Sequence, residues 1–131
     1  MPDIPRGARP LSPHLQIYRP QWTSVTSILT RITGNALILG TVLVVWWLLA
    51  LATGPEAFET ADGFVRSWFG DLVLLGSLWA LWYHALAGLR HLVWSTGRFL
   101  EISQAELFGK VIVGASVALT ILTVLILWVT A

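Results

Sequence analysis

Cysteine is absent from this chain of 131 residues, and charged side chains make up only 11% of it. Without cysteine the chain cannot form a disulfide, carry out thiol catalysis or ligate an iron–sulfur cluster through thiolates. The formal net charge is only +1, so nothing indicates a nucleic-acid partner. Apolar side chains make up 56% of the residues, and there are eight tryptophans. A soluble domain of this size cannot bury so much apolar surface, and the composition therefore predicts a membrane protein.

Three long uncharged stretches reach or approach the roughly 20 apolar residues that a membrane-spanning helix needs. They predict an all-α integral membrane fold with three transmembrane helices, at about 27–53, 69–94 and 108–130. A short N-terminal segment, 1–22, precedes them, and the stretches between the helices contain the glycine and proline residues typical of connections. We expect residues 1–131 to form a single membrane-anchor domain.

The basic residues indicate how the helices cross the membrane. Most of them lie before the first span or beside the second connection: Arg6, Arg9, Arg19, Arg31, Arg90, Arg98 and Lys110. Only Arg66 lies beside the first connection, which is acidic. Because positive residues favour the cytoplasmic side, we expect a cytoplasmic N-terminus and a periplasmic C-terminus. The N-terminus resembles neither a signal peptide nor a transit peptide, which favours the inner (plasma) membrane of a bacterium.

The second predicted span has a small face and a bulky face. At 100° per residue, the small face carries Ser77, Ala80, His84, Gly88 and His91. The opposite face suits lipid and carries Leu75, Leu78, Trp82, Leu86, Leu89 and Val93. The missing side chain at Gly88 would allow a flat, rigid group such as a haem to lie one turn beyond His84.

Only one histidine of this span can ligate a given haem iron. His84 and His91 lie two helical turns apart, roughly 10 Å along the axis, whereas the two axial ligands approach the iron from opposite sides. His84 is favoured because it lies deeper in the apolar run, while His91 follows Arg90 at the aqueous boundary. His84 can instead hydrogen-bond across a helix interface. His91 fits an interfacial or propionate-side residue better than a ligand, and His14 fits a surface or subunit contact.

The first span has a polar line at its cytoplasmic end. Ser24, Ser27, Arg31 and Gly34 lie on one side at helical spacing. A quinone fits this line, because its carbonyl oxygens accept hydrogen bonds and a fixed cation stabilises the negative charge that develops on reduction. The same cation could pair with a haem propionate. Arg31 could equally well anchor the helix end by extending its charged group to the membrane surface.

Three segments together resemble a known family: RPLSPHLQIY at 9–18, SILTRITG at 27–34 and HALAGLRHLVW at 84–94. In this order and over the full length, they are similar to the larger membrane-anchor subunit of succinate dehydrogenase, its cytochrome b subunit. The resemblance implies that His84 is an axial ligand of haem b and that a second small hydrophobic anchor subunit supplies the other. It also implies a quinone site on the cytoplasmic side, lined by Ser27, Ile28 and Arg31, with Arg31 near a haem propionate.

The resemblance further implies that this subunit does not oxidise succinate. A flavoprotein subunit does so, and an iron–sulfur subunit relays the electrons to quinone, which agrees with the missing cysteines. Two positions depart from the family pattern: Thr30 stands where a histidine is common and Ser95 where an aspartate is frequent. A propionate hydrogen bond or proton delivery by that histidine is therefore not carried over to Thr30, and no function is carried over to Ser95.

Two alternative functions remain at this point. The chain can anchor a quinol:fumarate reductase, which a menaquinone pool would favour. It can also be a membrane scaffold without a cofactor, in which the face of His84 and Gly88 simply packs against another helix.

Overall fold

The computed structural model describes residues 12–130, which form four helices and no strand. These are α1, Trp22–Thr53; α2, Pro55–Val65; α3, Trp68–Ser95; and α4, Ile102–Thr130. Helices α1, α3 and α4 are each long and apolar enough to cross a membrane. This confirms the predicted fold class, an all-helical membrane protein with three spans.

The long helices extend beyond the predicted spans at one end of the bundle. Helix α1 begins at Trp22 rather than near 27, and α4 begins at Ile102 rather than near 108. At 1.5 Å per residue the 32 residues of α1 measure about 48 Å, whereas the hydrocarbon core of a bilayer is roughly 30 Å thick. The helical hydrogen-bond pattern therefore continues past the apolar run into more polar sequence.

The first connection forms a helix that the sequence analysis does not predict. Gly54 ends α1 with a φ of 145°, which lies in the region that favours glycine. Pro55 then begins α2, at a position where its missing N–H costs no intrahelical hydrogen bond. Phe58 packs edge-on against Trp47 of α1, with ring centroids 5.4 Å apart. The glycine and proline therefore mark a sharp turn between two helices, and α2 packs against the end of α1.

Helix α3 starts and stops at residues suited to those positions. The hydroxyl of Ser67 accepts a hydrogen bond from the backbone N–H of Gly70 at 3.1 Å and so caps the first turn. At the other end, the chain turns towards α4 through Gly97, which has a φ of 75°. The result is an antiparallel arrangement in which α3 contacts both α1 and α4.

The centre of the bundle is built from small and aromatic residues. Tyr83, Ala87 and Ile112 are buried there, and Leu86 packs against them. Trp82 donates a hydrogen bond from its indole N–H to the hydroxyl of Thr123 on α4 at 3.1 Å. Trp82 and Leu86, which are expected from the sequence to face lipid, are therefore half-buried against other residues of the bundle, whereas Leu75 and Leu89 of the same face are exposed as expected. Many other large apolar side chains of α1 and α4 are exposed, as expected for helices that face lipid or a partner.

Candidate functional site

His84 lies against α1 and is held by that helix's backbone. Its Nδ1 atom lies 3.1 Å from the carbonyl oxygen of Thr30 and 3.4 Å from the hydroxyl of Thr33. A carbonyl oxygen can only accept a hydrogen bond, so the neutral ring carries its proton on Nδ1 and a lone pair on Nε2. The contact with Thr30 therefore sets the tautomer of His84 and leaves Nε2 as the atom able to bind a metal.

Two glycines shape the surroundings of the imidazole. A Cβ added at Gly34 would lie 3.0 Å from Cε1 of His84, so the ring packs directly on the backbone of α1. A Cβ added at Gly88 would meet no atom of the described residues within 4 Å. His84 is thus supported from one side by α1, and the surface one turn further along α3 is open.

These features fit a haem. A histidine that ligates a metal usually donates its other ring N–H to a carboxylate or a backbone carbonyl, which is the arrangement between His84 and Thr30. Within residues 12–130 no group of three or more His, Cys, Asp or Glu side chains is placed to hold a bare metal ion. A single imidazole is the type of ligand that haem iron takes from one helix.

The three predicted quinone residues lie in the same turns of α1 as the residues that hold His84. Arg31 follows Thr30 directly and is exposed, Ile28 is 54% exposed and Ser27 is half-buried. Among the described residues, no side-chain hydrogen bond engages the Ser27 hydroxyl or the Arg31 guanidinium. Within the part of the chain that the structure describes, the Ser27 hydroxyl and the Arg31 guanidinium are therefore free to bind a ligand on this side of α1.

Arg90 is buried between the helices, a packing that the sequence analysis does not predict. It is 5% exposed and lies inside the bundle, where its Nη1 donates to the hydroxyl of Thr26 at 3.2 Å. Its guanidinium also lies over the ring of Trp94, 4.6 Å from the centroid, while its buried Nε has no partner among the described residues. The space for this side chain comes from Gly109 of α4, which packs against Thr26.

Tyr83 completes this buried group. Its hydroxyl donates to the carbonyl oxygen of Thr26 at 2.8 Å, and the whole side chain is buried. Sequence reasoning missed Thr26, Tyr83 and Arg90 as a cluster. The sequence does show three polar residues in otherwise apolar helices, but only the packing of the helices shows that these residues contact one another.

The other two histidines are exposed. His91 lies on the same helical line as His84, and its ring packs edge-on against Trp94 with centroids 5.3 Å apart. His14 lies in a short turn before α1, where its carbonyl accepts from the backbone N–H of Ile17 at 3.0 Å. The first part of the RPLSPHLQIY segment, like Arg6 and Arg9, lies outside the described residues.

Comparison with known proteins shows the family to which the chain belongs. Residues 5–123 match the family model described as "Succinate dehydrogenase/Fumarate reductase transmembrane subunit". The chain is 54% identical over 129 residues to the succinate dehydrogenase cytochrome b556 subunit of Paracoccus denitrificans, covering 98% of this chain and 99% of that protein. It is 37% identical over 121 residues to the b556 subunit of Rickettsia conorii (92% and 91% covered).

A third relative is the succinate dehydrogenase cytochrome b560 subunit of Reclinomonas americana, which is 38% identical over 126 residues, covering 92% of this chain and 85% of that protein. The family match and these relatives extend over nearly the whole chain, including the turns of α1 and α3 that hold His84. This chain is therefore a multi-pass membrane protein of the succinate dehydrogenase/fumarate reductase transmembrane subunit family.

Proposed function

We propose that this chain is a haem b-binding membrane anchor of a succinate dehydrogenase complex and forms part of its quinone-reduction site. The observation that carries the proposal is the hydrogen bond from Nδ1 of His84 to the carbonyl of Thr30, which leaves the lone pair of Nε2 for a metal. The names of the relatives, cytochrome b556 and b560 subunits, support haem b as the cofactor.

His84 would hold the haem iron through Nε2, and the open surface at Gly88 would take the edge of the ring. When bound, haem b supplies a one-electron redox centre inside the membrane. A second ligand would come from a second small hydrophobic anchor subunit, as the family resemblance implies. Arg31 would pair with a propionate, and His91 would lie in the vicinity of the haem without ligating it.

Ser27, Ile28 and Arg31 would bind the quinone. The Ser27 hydroxyl and the Arg31 guanidinium would donate hydrogen bonds to the quinone carbonyl oxygens, and Ile28 would pack against the apolar part of the head group. The exposed positive charge of Arg31 would stabilise the negative charge that develops on the quinone oxygens during reduction. These residues bind and orient the quinone, while the succinate chemistry belongs to other subunits.

The other steps of the reaction would be carried out by partner subunits. An iron–sulfur subunit would deliver electrons, a flavoprotein subunit would oxidise succinate, and membrane lipid would cover the remaining apolar surface. Within residues 12–130 the cationic side chains support an orientation with the start of α1 in the cytoplasm, because Arg19, Arg31, Arg98 and Lys110 lie at one end of the bundle and Arg66 lies at the other. The membrane would be the inner membrane of a bacterium. The C-terminus would then be periplasmic.

Succinate oxidation is favoured over fumarate reduction as the direction of catalysis. The family description covers both enzymes, but the relatives compared above are all named as succinate dehydrogenase subunits. Purified complex that reduces quinone with succinate faster than it reduces fumarate with a quinol would agree with this assignment.

The haem assignment is tested by the visible spectrum of purified complex carrying His84→Ala. We expect the reduced haem b band to be lost, and we expect the control variant His91→Ala to keep it. A full haem band in His84→Ala would show that the ligand is wrongly assigned. If the wild-type complex itself had no haem band, the chain would instead be a cofactor-free anchor.

A further inference from the structure

Two adjacent residues of α3 bind consecutive turns of α1. The hydroxyl of Tyr83 donates to the carbonyl of Thr26 at 2.8 Å, and Nδ1 of His84 donates to the carbonyl of Thr30 at 3.1 Å. Thr26 and Thr30 lie one helical turn apart, and the hydroxyl of Thr30 donates back to the carbonyl of Thr26 at 2.8 Å. The carbonyl of Thr26 is therefore tied both to Tyr83 and to the residue that holds His84.

Arg90 fixes the same turn from another direction. Its Nη1 donates to the hydroxyl of Thr26 at 3.2 Å, and its guanidinium is kept in place by the face of Trp94. Thr26 is itself 1% exposed and packs against Gly109, so it cannot shift without disturbing α4. A buried phenol and a buried guanidinium strongly resist losing their partners, since an unpaired buried polar group costs free energy.

We infer that Tyr83 and Arg90 are positioning residues for His84. By fixing the turn of α1 at Thr26, they set the place of the Thr30 carbonyl and, through it, the orientation of the imidazole and the direction of Nε2. The Thr30 carbonyl is the group that contacts the ligand itself, and such a group governs how tightly the metal ligand binds because it fixes the ring's orientation and basicity. Tyr83 and Arg90 act on that carbonyl from one contact further out. This inference rests on the proposed role of His84 as the haem ligand.

A purely structural role for the cluster predicts something different. If Tyr83 and Arg90 only hold the helices together, their loss lowers the yield of the complex but leaves the haem in the surviving complex unchanged. If they position His84, the haem itself changes in complex that has assembled. The decisive readouts are therefore the electron paramagnetic resonance signal of the oxidised haem and the rate at which haem leaves purified complex for apomyoglobin.

The first test replaces Tyr83 by Phe, which removes the hydroxyl and keeps the ring. Haem content is normalised to flavin in purified complex. We expect haem transfer to be faster by up to about tenfold, the lower end of the effect of losing a group that contacts the ligand itself, and we expect the resonance signal to shift. The matched control is Tyr18→Phe, whose exposed hydroxyl contacts only Ser24 among the described residues, and it should match the wild type. Unchanged haem transfer and resonance in Tyr83→Phe would overturn the inference.

The second test addresses the hydrogen bond between Arg90 and the Thr26 hydroxyl. It also shows whether the cluster positions His84 if Tyr83→Phe lowers the yield of complex too far to be measured. Thr26→Val removes the hydroxyl with little change in shape, whereas Thr26→Ser keeps it. We expect Val to accelerate haem transfer and Ser to restore the wild-type rate. Equal behaviour of the two variants would contradict the role of Arg90.

The His84→Ala variant separates failure of this inference from failure of the proposed function. If His84→Ala keeps its haem, the ligand assignment itself is wrong. If His84→Ala loses its haem while Tyr83→Phe and Thr26→Val behave as wild type, only the positioning role is wrong.

Discussion

Nδ1 of His84 donates a hydrogen bond to the backbone carbonyl of Thr30 over 3.1 Å. This contact connects the candidate haem ligand on α3 to the polar turns of α1. The resemblance noted in the sequence implies that a histidine is common at the position of Thr30, but Thr30 contacts His84 through its backbone carbonyl. The departure at this position therefore leaves the support of the imidazole in place.

Gly34 provides the close approach that this contact requires. A Cβ there would lie 3.0 Å from Cε1 of His84, so Gly34→Ala should push the ring away from Thr30. We expect less haem per flavin in purified complex and a changed haem spectrum. Gly114→Ala is the matched control, because a Cβ at that helical glycine meets nothing within 4 Å among the described residues. Wild-type haem content in Gly34→Ala would contradict this account of the packing.

Substitutions at Gly88 test whether the haem lies over the open surface beside His84. A Cβ at Gly88 contacts no described residue within 4 Å, so a side chain added there starts without a clash against the helices of this chain. The ring introduced by Gly88→Phe would occupy the space proposed for the haem edge, and we expect purified complex to lack the haem band. Gly88→Ala should retain most of it. A Gly88→Phe complex with full haem would mean that the haem lies elsewhere.

Arg31 tests the quinone site. Arg31→Gln removes the charge that would stabilise the reduced oxygens, and we expect succinate:quinone activity to fall about a hundredfold, as for other single groups that stabilise developing charge. Succinate oxidation with the soluble acceptor phenazine methosulfate should stay unchanged. Arg19→Gln, another exposed cation at the same end, serves as the control. Equal loss of both activities in Arg31→Gln would indicate an assembly defect instead.

Asp62 makes the packing of α2 against α1 sensitive to pH. The indole N–H of Trp47 donates to one carboxylate oxygen at 3.2 Å and Nε of Arg66 to the other at 2.7 Å. The bond from Trp47 is the main cause that lowers the pKa of Asp62, and Arg66 adds to it, although partial burial opposes both. Because the folded-state pKa is depressed, the stabilisation is present above the unfolded value of about 3.9 and is lost as pH falls through the lower folded value.

Asp62→Asn should therefore lower the thermal unfolding temperature of the complex at pH 7. The difference from wild type should narrow as pH falls below about 4, where Asp62 of the unfolded chain becomes protonated, and it should vanish below the lower pKa of the folded protein. Glu59→Gln, on the exposed side of the same helix, is the control. A difference that stays constant down to pH 3 would show that the charge of Asp62 is not involved.

The sequence predicts the three spans because their apolar runs are long enough to be recognised without any tertiary information. It does not predict α2, since Gly54 and Pro55 read equally well as a loop and as a sharp turn between helices. The ends of α1 and α4 are also missed, because helical hydrogen bonding continues past the point where hydropathy falls.

The site is predicted only in part for a related reason. His84 and Gly88 share a face of one helix, and a single-helix projection shows this. The burial of Arg90 and the contact of Trp82 with α4 depend on which sides of α3 its neighbours cover, and a projection of one helix contains no such information. The partner of Nδ1 is a backbone carbonyl, which no side-chain pattern can reveal.

The most direct test of the central claim is a cryo-electron microscopy map of the purified complex at a resolution that shows side chains. The account predicts a haem whose iron is bonded to Nε2 of His84, with Nδ1 facing the carbonyl of Thr30 and the porphyrin edge over Gly88. Iron bonded to another residue of this chain, or a His84 ring buried in a helix interface with no haem beside it, would contradict it.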